Sequence, residues 1–331
     1  MNRRKFLKAA CTAAINFKMM KKVIFNEYGN FDQLQIAETE MPVFRKNELL
    51  IRVKAVGINP LDWKILEGQM RLMTGSKFPK GIGFDFSGVV EKTGDAVSQF
   101  KVGDEVFGAM DAMRGAALAE FLVVSEKTVF NKPAALSFET AAAMPSVGVA
   151  ALRMFEKADA KAGSEVLING ATGGIGVYAV QMAQKMGLKV TAVASGKGLP
   201  FLEKWQADRI IDYKKENILA QNLAFDAILE MSGTLPYAKA KAMMKPKSVF
   251  VSTLPDPKLL ATSFFNNLFS NQKHKIIFAT PTQHDLQTLA DWANNGLETV
   301  IEQTFAFSDF MSAYQAAKKG GGVGKVVIHI P

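Results

Sequence analysis

The fold of this chain is decided by Glu165-Val166-Leu167-Ile168-Asn169-Gly170-Ala171-Thr172-Gly173-Gly174-Ile175-Gly176. The first five residues predict a buried strand. A glycine-rich turn follows, and a helix is predicted from residue 174 to 186. Glycines in such a turn let the backbone approach a pyrophosphate, and the helix N-terminus offers free N–H groups and the positive end of its dipole. The sequence therefore predicts a dinucleotide-binding loop. The alternative is a tight strand–helix turn that binds nothing.

Strand-length and helix-length segments continue to alternate after this loop. Further strands are predicted at residues 189–194, 209–211, 225–230 and 248–252, with a helix at 199–206. Strands that alternate with helices imply right-handed crossovers and a parallel sheet. The central part of the chain is therefore predicted to be an α/β, doubly wound domain.

The chain before residue 145 has a different texture. Leu50 to Val56 alternates in period two, with Ile51, Val53 and Ala55 on one face and Arg52 and Lys54 on the other. Short strands at residues 83–94, 102–108 and 119–124, punctuated by glycines, predict a small antiparallel barrel. A helical stretch is predicted at 138–155. Two helices (285–294 and 307–318) and a last strand (325–330) end the chain.

The end of the second predicted parallel strand indicates which dinucleotide is bound. A site for NAD places an Asp or Glu there to bind the ribose 2′-hydroxyl. This chain has Ser195-Gly196-Lys197, with no acidic residue until Glu203. A hydroxyl and an ammonium group suit a 2′-phosphate, which a carboxylate would repel. NADP(H) is therefore the predicted cofactor, with a surface-loop lysine as the alternative reading of Lys197.

Composition and charge exclude several classes of protein. The 331 residues are 48% hydrophobic and 21% charged and include one cysteine, Cys11, so no intrachain disulfide or cysteine-built zinc site is possible. Of the net charge of +9, +7 lies in the first 22 residues, which contain no acid. Because the charge is not spread over a folded face, nucleic acid is not a predicted partner. No apolar run predicts a membrane span.

The first 19 residues form a basic extension. Asn2 to Lys8 resembles a twin-arginine export signal, but the uncharged stretch that follows, residues 9–17, is short and ends at Lys18. A solvated extension ahead of a start at Met19 or Met20 is the other reading. We therefore expect a cytoplasmic protein, with the periplasm as the alternative if the signal works.

Several ordered motifs between residues 22 and 331 resemble the zinc-independent medium-chain dehydrogenase/reductases of the quinone oxidoreductase type. They are Gly57-Ile58-Asn59-Pro60-Leu61-Asp62-Trp63-Lys64, Gly83-Phe84-Asp85-Phe86-Ser87-Gly88, Val102-Gly103-Asp104-Glu105-Val106-Phe107-Gly108, the glycine loop, Ile211-Asp212-Tyr213 and Gly324-Lys325-Val326-Val327. The resemblance implies a GroES-like β-barrel catalytic domain from residues 20–145 and 280–331, and a Rossmann domain from 146–279. It also implies that Lys197 and Tyr213 bind the 2′-phosphate, and that a homodimer forms.

Zinc-dependent relatives in this superfamily use cysteine, histidine and a carboxylate, and this chain lacks the first two at the matching positions. Phe84 stands at the histidine position, and residues 59–62 contain no cysteine. The three histidines, His274, His284 and His329, are too dispersed to predict a metal site. Without a Lewis acid, hydride addition to a quinone or an α,β-unsaturated carbonyl compound is the chemistry that remains.

The candidate site residues follow from the motifs. Asn59 is predicted to be an orienting hydrogen-bond donor at the active site. Lys64 either binds the acceptor oxygen or faces solvent, and Asp62 either anchors the loop or transfers protons, with anchoring favoured. The predicted cofactor-binding residues are Thr172, Gly173, Gly174, Ile175, Ser195, Lys197, Tyr213 and Lys325.

Two other functions remain open. One is an NADPH-binding sensor or regulatory protein of the same fold, which the lack of a secure general acid favours. The other is a short-chain-type carbonyl reductase that uses Tyr237 and Lys241, a Tyr-x-x-x-Lys pair in which lysine lowers the pKa of tyrosine. The pair lies only 61 residues after Gly176, where that family needs well over a hundred. A chance match on a surface helix is therefore favoured.

The segment 255–271 is predicted to be a substrate lid or a dimer contact.

Overall fold

The computed structural model describes residues 19–111, 115–253 and 257–331. The export-signal hypothesis concerns residues 1–18, outside these ranges. Lys21 and Lys22, counted above in the charge of the first 22 residues, lie in the first strand, which pairs residue by residue with the second. That part of the excess charge therefore sits on the folded barrel, because the strand already begins at Met19.

The first part of the chain forms a β-barrel that carries three short helices. Its elements are β1 (Met19–Phe25), β2 (Gln35–Glu40), β3 (Glu48–Gly57), α1 (Pro60–Leu66), α2 (Arg71–Thr74), β4 (Lys80–Gly81), β5 (Asp85–Thr93), β6 (Glu105–Ala109), β7 (Phe121–Ser125), β8 (Val129–Asn131) and α3 (Phe138–Ala142). The predicted alternation in β3 is confirmed, since Ile51, Val53 and Ala55 are fully buried and Arg52 is exposed. The alternation fixes which face of β3 lines the barrel core.

The middle of the chain forms a parallel sheet covered by helices. Its elements are α4 (Pro145–Ala158), β9 (Glu165–Asn169), α5 (Gly174–Lys185), β10 (Lys189–Ala194), α6 (Leu199–Lys204), β11 (Arg209–Asp212), β12 (Phe225–Glu230), α7 (Tyr237–Ala240), β13 (Met244–Ser252), α8 (Pro257–Phe269), β14 (Lys273–Ile276) and α9 (Gln283–Asn294). The strand order is β11-β10-β9-β12-β13-β14, and every pair is parallel. This is the doubly wound order whose ligand crevice lies at the carboxyl ends of β9 and its neighbours.

The end of the chain returns to the barrel through β15 (Ile301–Ala306), α10 (Phe310–Lys319) and β16 (Lys325–His329). The barrel's larger sheet has the order β15-β16-β3-β5-β6-β8, with β7 beside β3, and a second sheet has the order β2-β1-β4. β16 runs antiparallel to β3, with Val327 opposite Gly57. The predicted fold, a barrel built from both chain ends with a Rossmann sheet between them, is confirmed. The exact domain limits at residues 146 and 280 stay a prediction.

The structure differs from the sequence predictions at several elements. The single helical stretch predicted at 138–155 is two helices, because Pro145 lacks the N–H that would continue α3 and instead begins α4. Strands β14 and β15 were not predicted. β14 is a four-residue edge strand rich in lysine, and β15 has no fully buried residue, so neither carries the apolar signal of a core strand.

Each of the two parts has its own apolar core. The barrel core includes Ile51, Val53 and Phe86, and the Rossmann core includes Val166 and Val177, which pack between the parallel sheet and its helices. Among the described residues, no helix has the length and apolar character that a membrane crossing requires.

His274 is a buried histidine on the edge strand β14. Its ring stacks on Tyr237 with 4.9 Å between ring centroids, and its Nε2 lies 3.1 Å from Ser252 Oγ. Only 2% of the residue is exposed, and burial lowers its pKa from 6.5 to about 4. Because the unfolded chain takes up a proton on this ring between those pH values and the folded chain does not, acidification favours unfolding.

We predict that the contribution of His274 to the free energy of unfolding falls as the pH drops from about 6.5 to about 4, so the wild-type protein loses stability relative to His274→Gln over this range. Urea unfolding at several pH values measures it. His284→Gln, a change at an exposed histidine on α9, is the matched control and should keep the wild-type dependence. If both variants keep the same pH dependence as the wild type, His274 is not its source.

Candidate functional site

The glycine loop, residues 169–176, is tightly packed against the protein at Gly176 and has free space beside Gly173. A Cβ at Gly176 would lie 2.1 Å from the carbonyl oxygen of Gly170, so only glycine fits where α5 packs against the loop. At Gly173 a Cβ would meet only that same carbonyl oxygen, at 3.5 Å, among the described residues. Gly170 itself has φ +89°, in the left-handed region. The loop therefore turns tightly and presents bare backbone on its outer side, as a bound pyrophosphate requires.

The start of α5 adds positive potential to this surface. Gly173 caps the twelve-residue helix, and the first N–H groups, from Gly174 and Ile175, have no acceptor within the helix. Thr172 is buried and packs against Gly198 at the end of the next strand–helix turn. The four loop residues predicted to bind the cofactor thus lie together, and the chemistry of the loop fits a dinucleotide.

The adenosine end of the predicted site lies at the carboxyl ends of β10 and β11. Ala194 pairs with Asp212, and the backbone N–H of Tyr213 donates to Ala194 O at 3.1 Å. Ser195 follows Ala194 and is half-buried, while Lys197 and Tyr213 are exposed. The structure therefore brings Ser195, Lys197 and Tyr213 to one edge of the sheet, as the sequence predicted.

One acidic residue near this edge was missed because it comes from the neighbouring strand. Asp212 ends β11 beside the end of β10. Its Oδ1 accepts the N–H of Lys214 at 3.1 Å, and its Oδ2 lies 3.8 Å from Lys215 Nζ. These partners offset its charge within its own loop.

Residues 57–64 lead from the end of β3 into helix α1, and we name them the catalytic loop after the motif that they resemble. Asn59 is the N-cap, Pro60 the first helical residue, and the Asn59 N–H donates to Asp62 Oδ2 at 2.8 Å. Asp62 is fully buried, and burial raises its pKa to about 7, although the hydrogen bond from Asn59 and the charge of Lys325 act in the opposite direction. The geometry agrees with the anchoring role favoured for Asp62. Its Oδ1 and the hydroxyl of Tyr314 are both buried without a hydrogen-bond partner among the described residues.

The side chain of Asn59 lies inside a buried polar network. Its Nδ2 donates to Asp85 Oδ2 at 2.9 Å and to Gly57 O at 3.3 Å. Its Oδ1 accepts from Lys325 Nζ at 2.6 Å, and the same ammonium group donates to Ile58 O. Both amide N–H groups are therefore bonded within the protein. The predicted donation from Asn59 to a substrate stays a prediction.

Lys325 was predicted to bind the cofactor, and its ammonium group lies against the catalytic loop. Its stem does run past the glycine loop, where Cδ is 3.1 Å from the place a Cβ would take on Gly174. Only 4% of the residue is exposed. Burial lowers its pKa, and the carboxylates of Asp85 and Asp62 oppose that shift.

Asp85 is the residue of this network that the sequence predictions did not include. It is fully buried and accepts from Ser146 N at 3.1 Å and from Ser146 Oγ at 2.5 Å, at the start of the fourteen-residue helix α4. Burial raises its pKa, while Lys325 and the hydrogen bonds from Ser146 and Asn59 lower it. Burial has the larger effect, so the net pKa is raised, and the three donors and the N-terminus of α4 limit that rise because they favour the ionised form. A sequence signal for Asp85 was available, because it belongs to the motif at residues 83–88, in which Phe84 stands at the position of a zinc-binding histidine.

Lys64 has a different environment. It lies in the last turn of α1 and is half-buried. Within the described part of the chain, its ammonium group makes no hydrogen bond. It therefore remains available for a ligand or for solvent, the two readings that the sequence left open.

A second polar network, also missed, lies at the carboxyl ends of β9 and β12. Asn169 Nδ2 donates to Glu230 Oε2 at 2.6 Å, and Glu230 Oε1 accepts the N–H groups of Ser232 and Gly233 at 2.8 and 2.6 Å. Both Asn169 and Glu230 are buried. The network fixes the turn after β12 beside the glycine loop. The sequence signal that could have predicted this network is that Asn169 and Glu230 are polar residues at the ends of two apolar strands.

Tyr237 and Lys241 do not form an acid–base pair. The Tyr237 hydroxyl donates to Gln272 O at 2.7 Å and accepts from Asn266 Nδ2 at 2.7 Å. Lys241 Nζ lies over the ring, 5.6 Å from its centroid. The tyrosine therefore joins α7 to α8 and the segment before β14, which favours a structural role.

Histidine, cysteine and acidic side chains do not gather into a metal-binding group of three or more anywhere in residues 19–111, 115–253 and 257–331. Asp62 and Asp85 lie near each other, but the group between them is the amide of Asn59. The predicted absence of a catalytic metal stays a prediction.

Comparison with known proteins agrees with this geometry. Residues 45–134 match the alcohol dehydrogenase GroES-like domain, and residues 205–328 match the zinc-binding dehydrogenase family. A 2-methylene-furan-3-one reductase of Solanum lycopersicum is 32% identical, over 94% of this chain and 79% of its own length. A mitochondrial NAD(P)H oxidoreductase of Bos taurus is 30% identical, over 94% of this chain and 89% of its own.

A solved structure extends the similarity to three dimensions. The quinone oxidoreductase from Coxiella burnetii superposes with a TM-score of 0.88 at 28% identity, over 95% of this chain and all of that one. The barrel, the Rossmann sheet, the dinucleotide loop and these relatives agree on one family and on a nicotinamide cofactor. The chain belongs to the quinone oxidoreductase-like medium-chain dehydrogenase/reductases and is an oxidoreductase.

Proposed function

We propose that this enzyme is an NADPH-dependent reductase of quinones or α,β-unsaturated carbonyl compounds that works without a catalytic metal. One observation carries the proposal. Gly324 and Lys325 connect the catalytic loop to the dinucleotide loop, and the catalytic loop holds a buried lysine–amide–carboxylate network where zinc-dependent relatives are expected to place their ligands. The names of the tomato enone reductase and the Coxiella quinone oxidoreductase agree with the same acceptor classes.

NADPH, when bound, supplies a hydride. The protein must then place an acceptor over the loop and accommodate the negative charge that develops on the acceptor oxygen. A conjugated carbonyl or a quinone spreads this charge without a Lewis acid. Lys64 is a half-buried residue in the last turn of α1, its ammonium group makes no hydrogen bond to the described residues, and we assign it to that oxygen. The proton that completes the reduction comes from water, because Asp62 and Asp85 are buried and each has a carboxylate oxygen hydrogen-bonded within the protein.

The preference for NADP(H) is supported by the residues at the ends of β10 and β11. Ser195, Lys197 and Tyr213 offer two hydroxyls and an ammonium group at one edge. The nearby Asp212 is bonded to the loop after it. An exposed ammonium group binds a dianionic phosphate by charge-assisted hydrogen bonds that a ribose hydroxyl does not match.

We predict that Lys197→Glu weakens NADPH binding by roughly 10- to 100-fold, the effect of losing a charge-assisted contact, while the affinity for NADH stays nearly unchanged. Titration calorimetry with each dinucleotide measures both. Lys189→Glu, at the opposite end of β10, is the matched control and should leave both affinities unchanged. Equal weakening of NADPH and NADH by Lys197→Glu would refute the assignment to the 2′-phosphate.

We predict that the enzyme oxidises NADPH with 1,4-benzoquinone and with 2-cyclohexen-1-one, and not with cyclohexanone, which lacks the conjugated double bond. The activity should survive a chelator, because the catalytic loop binds the acceptor without a metal. Absorbance of the reduced nicotinamide follows the reaction. Turnover restricted to cyclohexanone or simple alcohols, or loss on chelation, contradicts the proposal. Tight NADPH binding without turnover of any acceptor would favour the sensor alternative.

We propose that two copies of the chain associate through the outer edge of the Rossmann sheet. β14 pairs with β13 on one side, and the described residues provide no strand on the other. Beside this edge, α8 exposes one apolar face: Leu260, Phe264, Phe265, Leu268 and Phe269 are 40–88% exposed. Exposed apolar surface of this kind, next to an unpaired strand, is typical of an interface.

We predict that the wild-type protein is a dimer and that the double change Phe265→Ser and Phe269→Ser shifts it toward the monomer. Light scattering coupled to size exclusion measures the mass at micromolar concentration. Leu72→Ser, which changes a side chain 98% exposed on the barrel, is the control and should leave the dimer intact. A monomeric wild-type protein would contradict the proposed interface.

We infer a cytoplasmic location for the enzyme. One relative is named as mitochondrial and another as chloroplastic, so the names of relatives point to more than one compartment. Export to the periplasm is the alternative, and it depends on residues 1–18. Fractionation of cells that produce the full chain distinguishes the two.

A further inference from the structure

Gly324 and Lys325 are the point at which the dinucleotide loop and the catalytic loop meet. The Gly324 N–H donates to Thr172 O at 2.9 Å, and its φ is +81°. A Cβ on Gly324 would lie 2.0 Å from Val300 O, so glycine is required for the chain to pass here. The next residue, Lys325, donates to Ile58 O and to Asn59 Oδ1. One two-residue segment therefore contacts both loops.

The amide of Asn59 has a single orientation in this network. An ammonium group only donates and an ionised carboxylate only accepts, so Oδ1 must face Lys325 and Nδ2 must face Asp85. A half-turn of the amide would place its N–H groups against the ammonium group and its oxygen against the carboxylate. The two buried charges thus align the amide dipole between them.

We propose that Lys325 is a positioning residue: through Ile58 O and the Asn59 amide, its ammonium group sets the catalytic loop, and with it α1 and Lys64, against the dinucleotide loop. The role differs from the cofactor contact predicted for Lys325, since its hydrogen bonds go to the catalytic loop. The inference rests on the proposed function in one respect, because the kcat measurement that tests it uses the proposed reductase reaction.

Two consequences of removing the ammonium group have to be separated. Lys325→Met leaves Asp85 as an uncompensated buried carboxylate, which destabilises the fold. It also removes the group that fixes the Asn59 amide and the start of α1. A second change, Asp85→Asn, removes that negative charge and leaves Asp62 unchanged, so the double variant keeps the net charge of the wild-type protein but still lacks the ammonium group.

The first arm of the experiment compares Lys325→Met, the double variant Lys325→Met with Asp85→Asn, and a control. Lys132→Met is the matched control, because the Lys132 side chain is also 4% exposed and paired, 3.0 Å from Glu105, in the barrel. We expect Lys325→Met to lower kcat by roughly 100-fold, the effect of a misplaced reacting geometry. The Kd for NADPH should stay within about threefold, since the loop N–H groups are intact. The control should lose stability and keep its kcat.

The double variant gives the decisive comparison. We expect it to recover most of the melting temperature lost in Lys325→Met while its kcat stays low. Recovery of kcat together with stability would overturn the positioning role and leave only a structural one. A large rise in the Kd for NADPH with kcat retained would overturn it in favour of a cofactor contact.

The second arm needs neither cofactor nor turnover. The side-chain ¹⁵N–¹H resonances of Asn59, identified by their loss in Asn59→Ser, should form one sharp pair in the wild-type protein. In Lys325→Met they should broaden or double as the amide is released, and in Lys132→Met they should stay unchanged. An unchanged Asn59 pair in Lys325→Met overturns the proposal. If the wild-type protein reduces no quinone or enone, the proposed function fails, and this arm alone decides the role of Lys325.

Discussion

The last strand, β16, completes the barrel, and its first residue, Lys325, also lies beside the dinucleotide loop. β16 pairs with β3 along one side and β15 along the other, and its first residue, Lys325, is already buried. The preceding peptide, at Gly324, is bonded to the dinucleotide loop. Since β3 leads directly into the catalytic loop, the position of that loop relative to the cofactor depends on how β16 enters the sheet.

Two buried groups of opposite charge, Lys325 and Asp85, hold this junction from the two ends of the Asn59 amide. Breaking a buried pair by removing one partner costs about 3–5 kcal/mol, yet replacing both partners with apolar groups is often neutral. Stability alone therefore gives little reason to keep Lys325 and Asp85. What an apolar replacement does not provide is direction: opposite charges at its two ends select one of two amide orientations. The network is better explained by a requirement for geometry than by a requirement for stability.

The cofactor side of the site could be predicted from the sequence because its signals are local. Strand, glycines and helix follow one another from residue 165 to 185, and Ser195 and Lys197 come directly after the next strand. The catalytic side depends on contacts between distant positions: Asn59 and Lys325 are 266 residues apart, and Asp85 and Ser146 are 61 apart. Asn59 and Lys325 were both identified as site residues, but no local pattern indicates that they bind each other, and Asp85 was named only as part of the motif at residues 83–88.

Lys325 and Lys64, the two lysines near the catalytic loop, differ in burial and in hydrogen bonding, and we assign them different roles. Lys325 has lost its water and bonds to two protein oxygens, so its charge is fixed in place. Lys64 is half-buried, without a protein acceptor among the described residues, and keeps contact with solvent. An ammonium group without a protein acceptor is able to bind an oxygen that gains charge, whereas the ammonium group of Lys325 already donates to two protein oxygens. Lys325 binds Asn59, the N-cap of α1, and Lys64 lies five residues further along, in the last turn of the same helix. The buried ammonium group of Lys325 therefore sets the position of Lys64.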